Sequence, residues 1–332
     1  MRRMLTVAAA GAALIVLMCP GPMSVSMATS ASRASGPASP QSYVPETVVH
    51  LPWGSGDWQA GKKDADESAP EGPMSFTVSP WGGIYLLDQV NLRVLMFSPQ
   101  GLPVGQVPVH SDTYQDIEVS AGGQIVLLDR LAGRCLTVLD AGGKPVSRTG
   151  IEGGAIPEGG GVTAMFLRDD GVWLEVEHRY LVRLLDGSCA PTSQQVFPGR
   201  FAPAAPRALR AQRLTPSSAE IQIVDGSTGG PVGRAVMGWG SLLYRIVWIE
   251  PDRHGNIVMM FHLLDELDPV NVAREEVAAY VASSDLQTVT PLFSTPDTIR
   301  EWEQFREFKV LADGTVLQMA FMDDGVRLIQ WK

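Results

Sequence analysis

The chain answers itself at a fixed interval. Phe76-Thr77-Val78, Gly82, Tyr85-Leu86-Leu87-Asp88, Arg93 and Gly101 are matched, 41 residues later and without a gap, by Ile117-Glu118-Val119, Gly123, Val126-Leu127-Leu128-Asp129, Arg134 and Gly142. Each unit reads as four short apolar strands divided by glycine or polar turns. A period of about 40–50 residues with four strands per unit is the signature of a β-propeller blade. The long helical patterns that a Rossmann or barrel fold requires are absent.

Four further units keep the rhythm with weaker copies. Unit three has Thr163–Leu167, Val172–Glu177 and Tyr180–Leu185, with turns at Asp169-Asp170-Gly171 and Asp186-Gly187-Ser188. Unit four shows an outer hairpin, Ala219–Asp225 with Pro231–Met237, while Pro198, Pro203 and Pro206 blur its inner strands. Unit five spans Tyr244–Ile249, Ile257–Phe261, Val277–Ala282 and Thr288–Phe293. Unit six spans Glu307–Leu311, Val316–Phe321 and Val326–Trp331, then stops one strand short. Glu46–Leu51 alternates like a strand ahead of unit one, and as the fourth strand of unit six it would close the ring and remove an open edge. The expectation is an all-β, six-bladed β-propeller over residues 43–332, monomeric and closed by its own N-terminal strand.

Ahead of it, Arg2-Arg3, the apolar run Leu5–Met18 and Ser26-Met27-Ala28 read as an export signal over 1–28. The run is shorter than the roughly 17–25 residues a membrane span needs. Residues 29–42 have the small, polar, proline-containing composition of a disordered linker. Export to the periplasm or outside is expected, by the general secretory route in preference to a twin-arginine one. A lipid anchor at Cys19 or an uncleaved, tethering N-terminus is the lesser alternative. Formal net charge is −10. That sign argues against a general phosphate-backbone partner, which needs a basic surface, and so against nucleic acid. Cys135 falls at the start of one strand and Cys189 beyond the far end of another, too far apart for the roughly 7 Å a disulfide tolerates. Two free thiols are expected.

Units one and two resemble NHL repeats in their Gly, Ile-Tyr, Asp, Asn and Arg pattern: Gly83-Ile84-Tyr85, Asp88, Asn91, Arg93. The approach Trp53-Gly54-Ser55-Gly56, Gly61 and Gly72-Pro73-Met74-Ser75-Phe76 is similar to the run-in of an NHL blade. The full motif covers unit one; unit two has Ala132 in place of Asn91, and the later units lose the polar set. The resemblance implies a propeller. It also brings in metal-dependent relatives, among them a zinc-dependent amidating lyase and gluconolactonase-type enzymes. The Glu, Asn and Asp set of the latter has no match here.

Asp88, Asn91 and Arg93, repeated as Asp129 and Arg134, read as a structural turn motif, because Asp and Asn satisfy turn donors and a nearby Arg can pair with the Asp. In a propeller that turn shares one face with the links between blades. The link into blade 1 brings Trp58, Asp64, Asp66, Glu67 and Glu71 to this face. A long loop at Leu263–Glu276 in blade 5 brings Asp265, Glu266, Asp268, Glu275 and Glu276. Trp239 and Trp302 join them, the latter on an expected short helix, 296–305, capped by Thr295. A protein, peptide or glycan ligand would dock on such a surface. Calcium at Asp64 and Asp66, or zinc at His110, His178 and His262, is the cofactor alternative, although neither set has the spacing of a known metal motif. No Gly-x-Ser-x-Gly elbow, HExxH or phosphate loop is present. The expectation is therefore a binding or scaffolding module, with a metal-dependent propeller lyase or lactonase as the alternative.

Overall fold

The computed structural model describes residues 43–64, 69–204, 206–266, 272–296 and 302–332. The expected signal and linker, with Cys19, lie outside these residues. So do Asp66, Glu67 and Asp268, and of Glu266 only the backbone is described.

Among the described residues six four-stranded antiparallel sheets follow one another along the chain. Blade 1 is β2 (Ser75–Val78), β3 (Ile84–Asp88), β4 (Arg93–Phe97) and β5 (Pro103–Pro108). Blade 2 is β6 (Asp116–Val119), β7 (Ile125–Asp129), β8 (Cys135–Leu139) and β9 (Pro145–Gly150). Blade 3 is β10 (Val162–Arg168), β11 (Gly171–Val176), β12 (Tyr180–Asp186) and β13 (Pro191–Phe197). Blade 4 is β14 (Arg200–Phe201), β15 (Arg207–Thr215), β16 (Ser218–Asp225) and β17 (Pro231–Gly238). Blade 5 is β18 (Leu242–Pro251), β19 (Ile257–Glu266), β20 (Val272–Ala282) and β21 (Val289–Pro296). Blade 6 is β22 (Phe308–Val310), β23 (Val316–Met322) and β24 (Gly325–Trp331), completed by β1 (Pro45–Pro52). The closing strand pairs from Pro45 opposite Trp331 to Pro52 opposite Gly325. The ladder groups of β24 are thereby satisfied rather than left as an open edge.

Each blade hides its apolar side chains against the next. Val126, Leu128, Leu136 and Val138 of blade 2 pack with Met165, Val172 and Leu174 of blade 3, and Leu209 and Ile221 of blade 4 with Met259 and Phe261 of blade 5. The inner strands of blades 1 and 2 are buried on both faces and read as near-continuous apolar runs, as central strands should. A second lock joins the last blade to the first. Glu303 N–H donates to the Pro70 carbonyl, and the N–H groups of Phe305 and Arg306 donate to the carbonyl of Met74.

Two expectations are corrected. Leu263–Glu276 is largely strand: β19 and β20 extend as one long hairpin, with Leu264 opposite Glu275 and Asp265 opposite Arg274. Trp302–Phe305, the described end of the expected helix, is bend and bridge instead. In blade 4 the innermost strand shrinks to two residues while its partner runs for nine. Cys135 and Cys189 are both free, as expected, and both are buried.

Candidate functional site

In an up-and-down blade the turn between second and third strands and the link to the next blade lie at one end. This loop face collects the expected site residues, and the structure divides them. Trp302 stacks on Trp53, ring centroids 4.7 Å apart, and both lean on Phe321. Lys62 lies over Trp302 and pairs with Asp64 at 2.9 Å. Trp58 meets Phe97 edge-on. Trp239 belongs to blades 4 and 5, packed on Phe261, with its Nε1 donating to the Tyr280 hydroxyl. The tryptophans pack down on blade cores and share no single shelf. In blade 5 the acids are engaged: Glu275 meets His262 at 2.7 Å, and Ser294 donates to Glu276.

The turn motif of blade 1 is bonded to its own turn and to the link before it. Buried Asp88 accepts from Gly61 N–H, Asn91 Nδ2 and Arg93 Nε, each at 2.9 Å, and Arg93 also donates to the carbonyls of Gly56 and Gln59. The motif thus clamps the link that follows the closing strand. Blade 2 departs from this plan. Asp129 accepts from Thr113 Oγ1 and Ala132 N–H, while Arg134 turns to Glu152 at 3.4 Å.

The three histidines are not brought together, and among the described residues no three His, Cys, Asp or Glu side chains are placed to hold a metal ion. His110 is exposed, and His178 points its Nδ1 at Glu175, 3.1 Å away. Buried His262 accepts at Nδ1 from Arg245 Nε and faces Glu275 with Nε2. Those partners fix its tautomer.

What the structure brings together instead begins on the axis. Arg306, 2% exposed, donates to Glu118 at 2.6 Å, to Asp116 at 2.7 Å and to the Met165 carbonyl at 2.8 Å. Lys309 reaches Glu118 at 2.9 Å. Ser75 donates to Asp116 and Thr77 to Glu118, each across one repeat of 41 residues. Side chains from blades 6, 1 and 2 and the Met165 main chain of blade 3 therefore meet around one guanidinium. Burial alone would raise Glu118, but Lys309 and Arg306 outweigh it and hold its carboxyl below the ordinary value. At Asp116 burial outweighs the pull of Arg306, and the neighbouring Glu118 adds to the upward push. Burial opposes the charge on Arg306, and the two carboxylates overcome it and raise its pKa.

Beside the axis the truncated strand of blade 4 leaves a gap. Pro198 cannot donate to a ladder. Gly199 follows at φ +135°, where an added Cβ would sit 2.5 Å from the Leu209 carbonyl oxygen. Strand β14 then pairs only Arg200 with Leu209 and Phe201 with Ala208. The loop-face half of β15 has no inner neighbour, and a cleft of about 270 Å³ opens between it, β18 and the end of β11. Leu209, Ala211 and Arg213 alternate along one wall, Tyr244–Ile249 form the other, and Glu175, His178 and Arg200 close the end.

The floor is an ion pair. Arg200 grips Glu175 through two parallel contacts of 2.5 and 2.8 Å and donates its third edge to the Ile249 carbonyl at 3.1 Å. Burial would raise Glu175, yet Arg200, with His178 helping, holds it far below the ordinary carboxylate range. Trp248 lies between Arg200 and Arg306, whose guanidinium carbons stand 4.4 and 5.8 Å from its ring, so cleft and axis share one indole. At the mouth Arg213 donates to the Tyr244 carbonyl, and the Tyr244 ring meets His262 edge-on at 4.9 Å. Glu177 and His178 occupy successive left-handed positions, φ 50° and 54°, in the turn that sets His178 on the rim.

Apart from His178, none of these cleft residues is expected at a site from the repeat. The visible signal for the axis is Asp116-x-Glu118, two acids standing one repeat after Ser75 and Thr77. For the cleft it is the proline cluster of unit four.

No family model matches the chain, and no curated protein matches it. Solved structures do. Hydrazine synthase of Kuenenia stuttgartiensis is similar with a TM-score of 0.49 at 12% identity, over 77% of this chain and 80% of that one. A member of the duf4221 family from Bacteroides vulgatus gives 0.47 at 10%, over 87% and 96%. Virginiamycin B lyase from Staphylococcus aureus gives 0.40 at 12%, over 82% and 98%. These likenesses concern the course of the chain and not its chemistry.

Proposed function

We propose that the chain is an exported, monomeric propeller of NHL-like ancestry that acts as a non-catalytic binding module, using its loop face to hold a protein, peptide or glycan partner. The observation that carries this is the cleft between blades 3, 4 and 5, a concave, mostly apolar site with a few convergent polar groups, the usual make-up of a ligand site. The charged groups around it support binding over turnover. Glu175 is locked on Arg200, and Asp116 and Glu118 are locked on Arg306 and Lys309, so these carboxylates serve as fixed charges. Half-buried Trp58 and Trp302 and the acid Asp64 extend the same face toward a larger partner.

The test is an array of peptides and glycans probed with the purified propeller, then with Tyr244→Ala and Trp302→Ala on the loop face and Trp81→Ala in the β2–β3 turn of the opposite face. The expected result is a retained ligand whose binding falls in the first two variants and survives in the third. Loss confined to Trp81→Ala, or no binding to any class, would overturn the reading.

A further inference from the structure

We infer that the cleft recognises a carboxylate carried on a compact apolar body, an inference that rests on the binding-module reading and names its ligand class. The argument starts from charge. In a chain of formal net charge −10, the cleft is lined by Arg200, Arg213 and Arg245, of which Arg200 is paired with Glu175 and Arg245 stands 3.8 Å from buried Glu307. These arginines have different jobs. Arg200 is buried with its donors spent on Glu175 and Ile249, so it sets the floor. Arg213 is exposed at the mouth, where one of its five donors meets the Tyr244 carbonyl. Arg245, half-buried on the adjoining strand, is already engaged, its Nε on His262 and its guanidinium 3.8 Å from the buried Glu307 carboxylate, so Arg213 is the arginine left to meet a ligand.

Shape narrows the ligand. The walls between those charges are Leu209, Ala211, Ile246, Trp248 and Ile249, and about 270 Å³ falls short of the roughly 300–1,000 Å³ typical of drug-sized sites. That volume suits one aromatic or branched side chain with its acid group. The planar guanidinium fork matches a carboxylate edge-on. A doubly charged phosphate would sit close to the Glu175 carboxylate and be repelled more strongly than a singly charged acid. The strained turn at Glu177–His178 is an independent sign of a positioned residue: two non-glycine residues in the left-handed region cost free energy that a plain hairpin avoids by using Asn-Gly.

The chemistry could be supplied by a free organic acid or by the C-terminus of a peptide. The experiment titrates the mature propeller by calorimetry with phenylacetate, with a pentapeptide ending in free phenylalanine, with the same pentapeptide as its C-terminal amide, and with phenyl phosphate. The expected result is that the free-acid peptide or phenylacetate binds at least about tenfold more tightly than the amide. Whichever acid is the tighter names the source. Arg213→Gln should remove that preference, Arg213→Lys restore part of it, and Arg134→Gln, outside the cleft, leave it intact. Ala211→Trp, which fills the cleft, should abolish binding of both acids. Equal binding of acid and amide, tighter binding of phenyl phosphate, insensitivity to Arg213→Gln, or no saturation by either acid in the millimolar range would each overturn the inference. Array ligands that survive such a result would leave the binding module standing. Acid binding in the cleft without any loop-face partner would instead remove the larger module and keep the cleft.

Discussion

Replacing Arg306 by methionine should unlock the ring from its centre. The guanidinium is buried and donates to Asp116, Glu118 and the Met165 carbonyl, groups contributed by blades 2 and 3 to a residue of blade 6. Methionine fills much of the volume and supplies no donor. Asp116 then keeps Ser75 and backbone N–H groups but loses its counter-charge, while Glu118 retains Lys309. Removing one partner of a buried ion pair costs about 3–5 kcal/mol. With an unfolding entropy of about 2.1 cal/mol/K per residue, roughly 290 folded residues convert that into a Tm lower by about 5–8 °C. Differential scanning calorimetry on wild type, Arg306→Met, Asp116→Asn and the double variant measures it. The double variant should be less destabilised than the sum of the singles, by about 1–3 kcal/mol, because each single strands the other group. A Tm change below about 2 °C for Arg306→Met, or additivity in the cycle, would refute the claim that this cluster ties the blades together.

The same reasoning ranks the two turn motifs: Asp88→Ala leaves buried Arg93 with carbonyl partners but no counter-charge and should cost about 3–5 kcal/mol, whereas Asp129→Ala removes two bonds from neutral donors and should cost about 1–2 kcal/mol by denaturant melts. Acid should weaken the wild type through Glu175, whose pKa is lowered on folding; the unfolded chain binds the proton that the folded one refuses, so stability present above about pH 5 is lost as pH falls. A Glu175→Gln/Arg200→Met variant should therefore show a shallower fall in Tm between about pH 5 and pH 3, and an unchanged slope would contradict the linkage. Removing residues 43–52 should bare the edge of β24 and give an aggregating chain without a sharp melt, rescued in size-exclusion runs by adding that segment as a peptide; a monomeric, cooperative truncation would show that the closing strand is dispensable.

Blade number, blade order and the closing strand were legible because they depend on local pattern: apolar runs of strand length, glycine turns, and an interval that repeats. Glu46–Leu51 could be assigned to the last blade simply because that blade lacked a strand. The long hairpin of blade 5 was misread because Asp265, Glu266, Asp268, Glu275 and Glu276 resemble loop composition. Charged residues are tolerated there in a ladder whose acids meet His262 and Ser294 from neighbouring strands. The axial cluster was half legible. Asp116 and Glu118 mark an innermost strand with two acids, but Arg306 stands 190 residues from Asp116, and no spacing rule joins them. The cleft was least legible, since a missing strand has no sequence of its own.

That absence explains why the cleft lies where it does. A regular inner strand in blade 4 would run beside β15 as far as Thr215 and cover Ala211 and Arg213. Pro198 and Gly199 start the blade late, and after two paired residues the turn between Ala202 and Arg207 leads straight into β15. Such a gap could collapse only if its walls could move, and they cannot do so cheaply. Arg200 anchors one end to Glu175 of blade 3 and to Ile249 of blade 5, and Trp248 is held between Arg200 and the axial Arg306. Core packing transmits such constraints because protein interiors are close-packed. The buried charges beside the axis thus have a second consequence besides joining blades. They hold an apolar cleft open at the loop face, with the exposed Arg213 at its rim on the Tyr244 carbonyl.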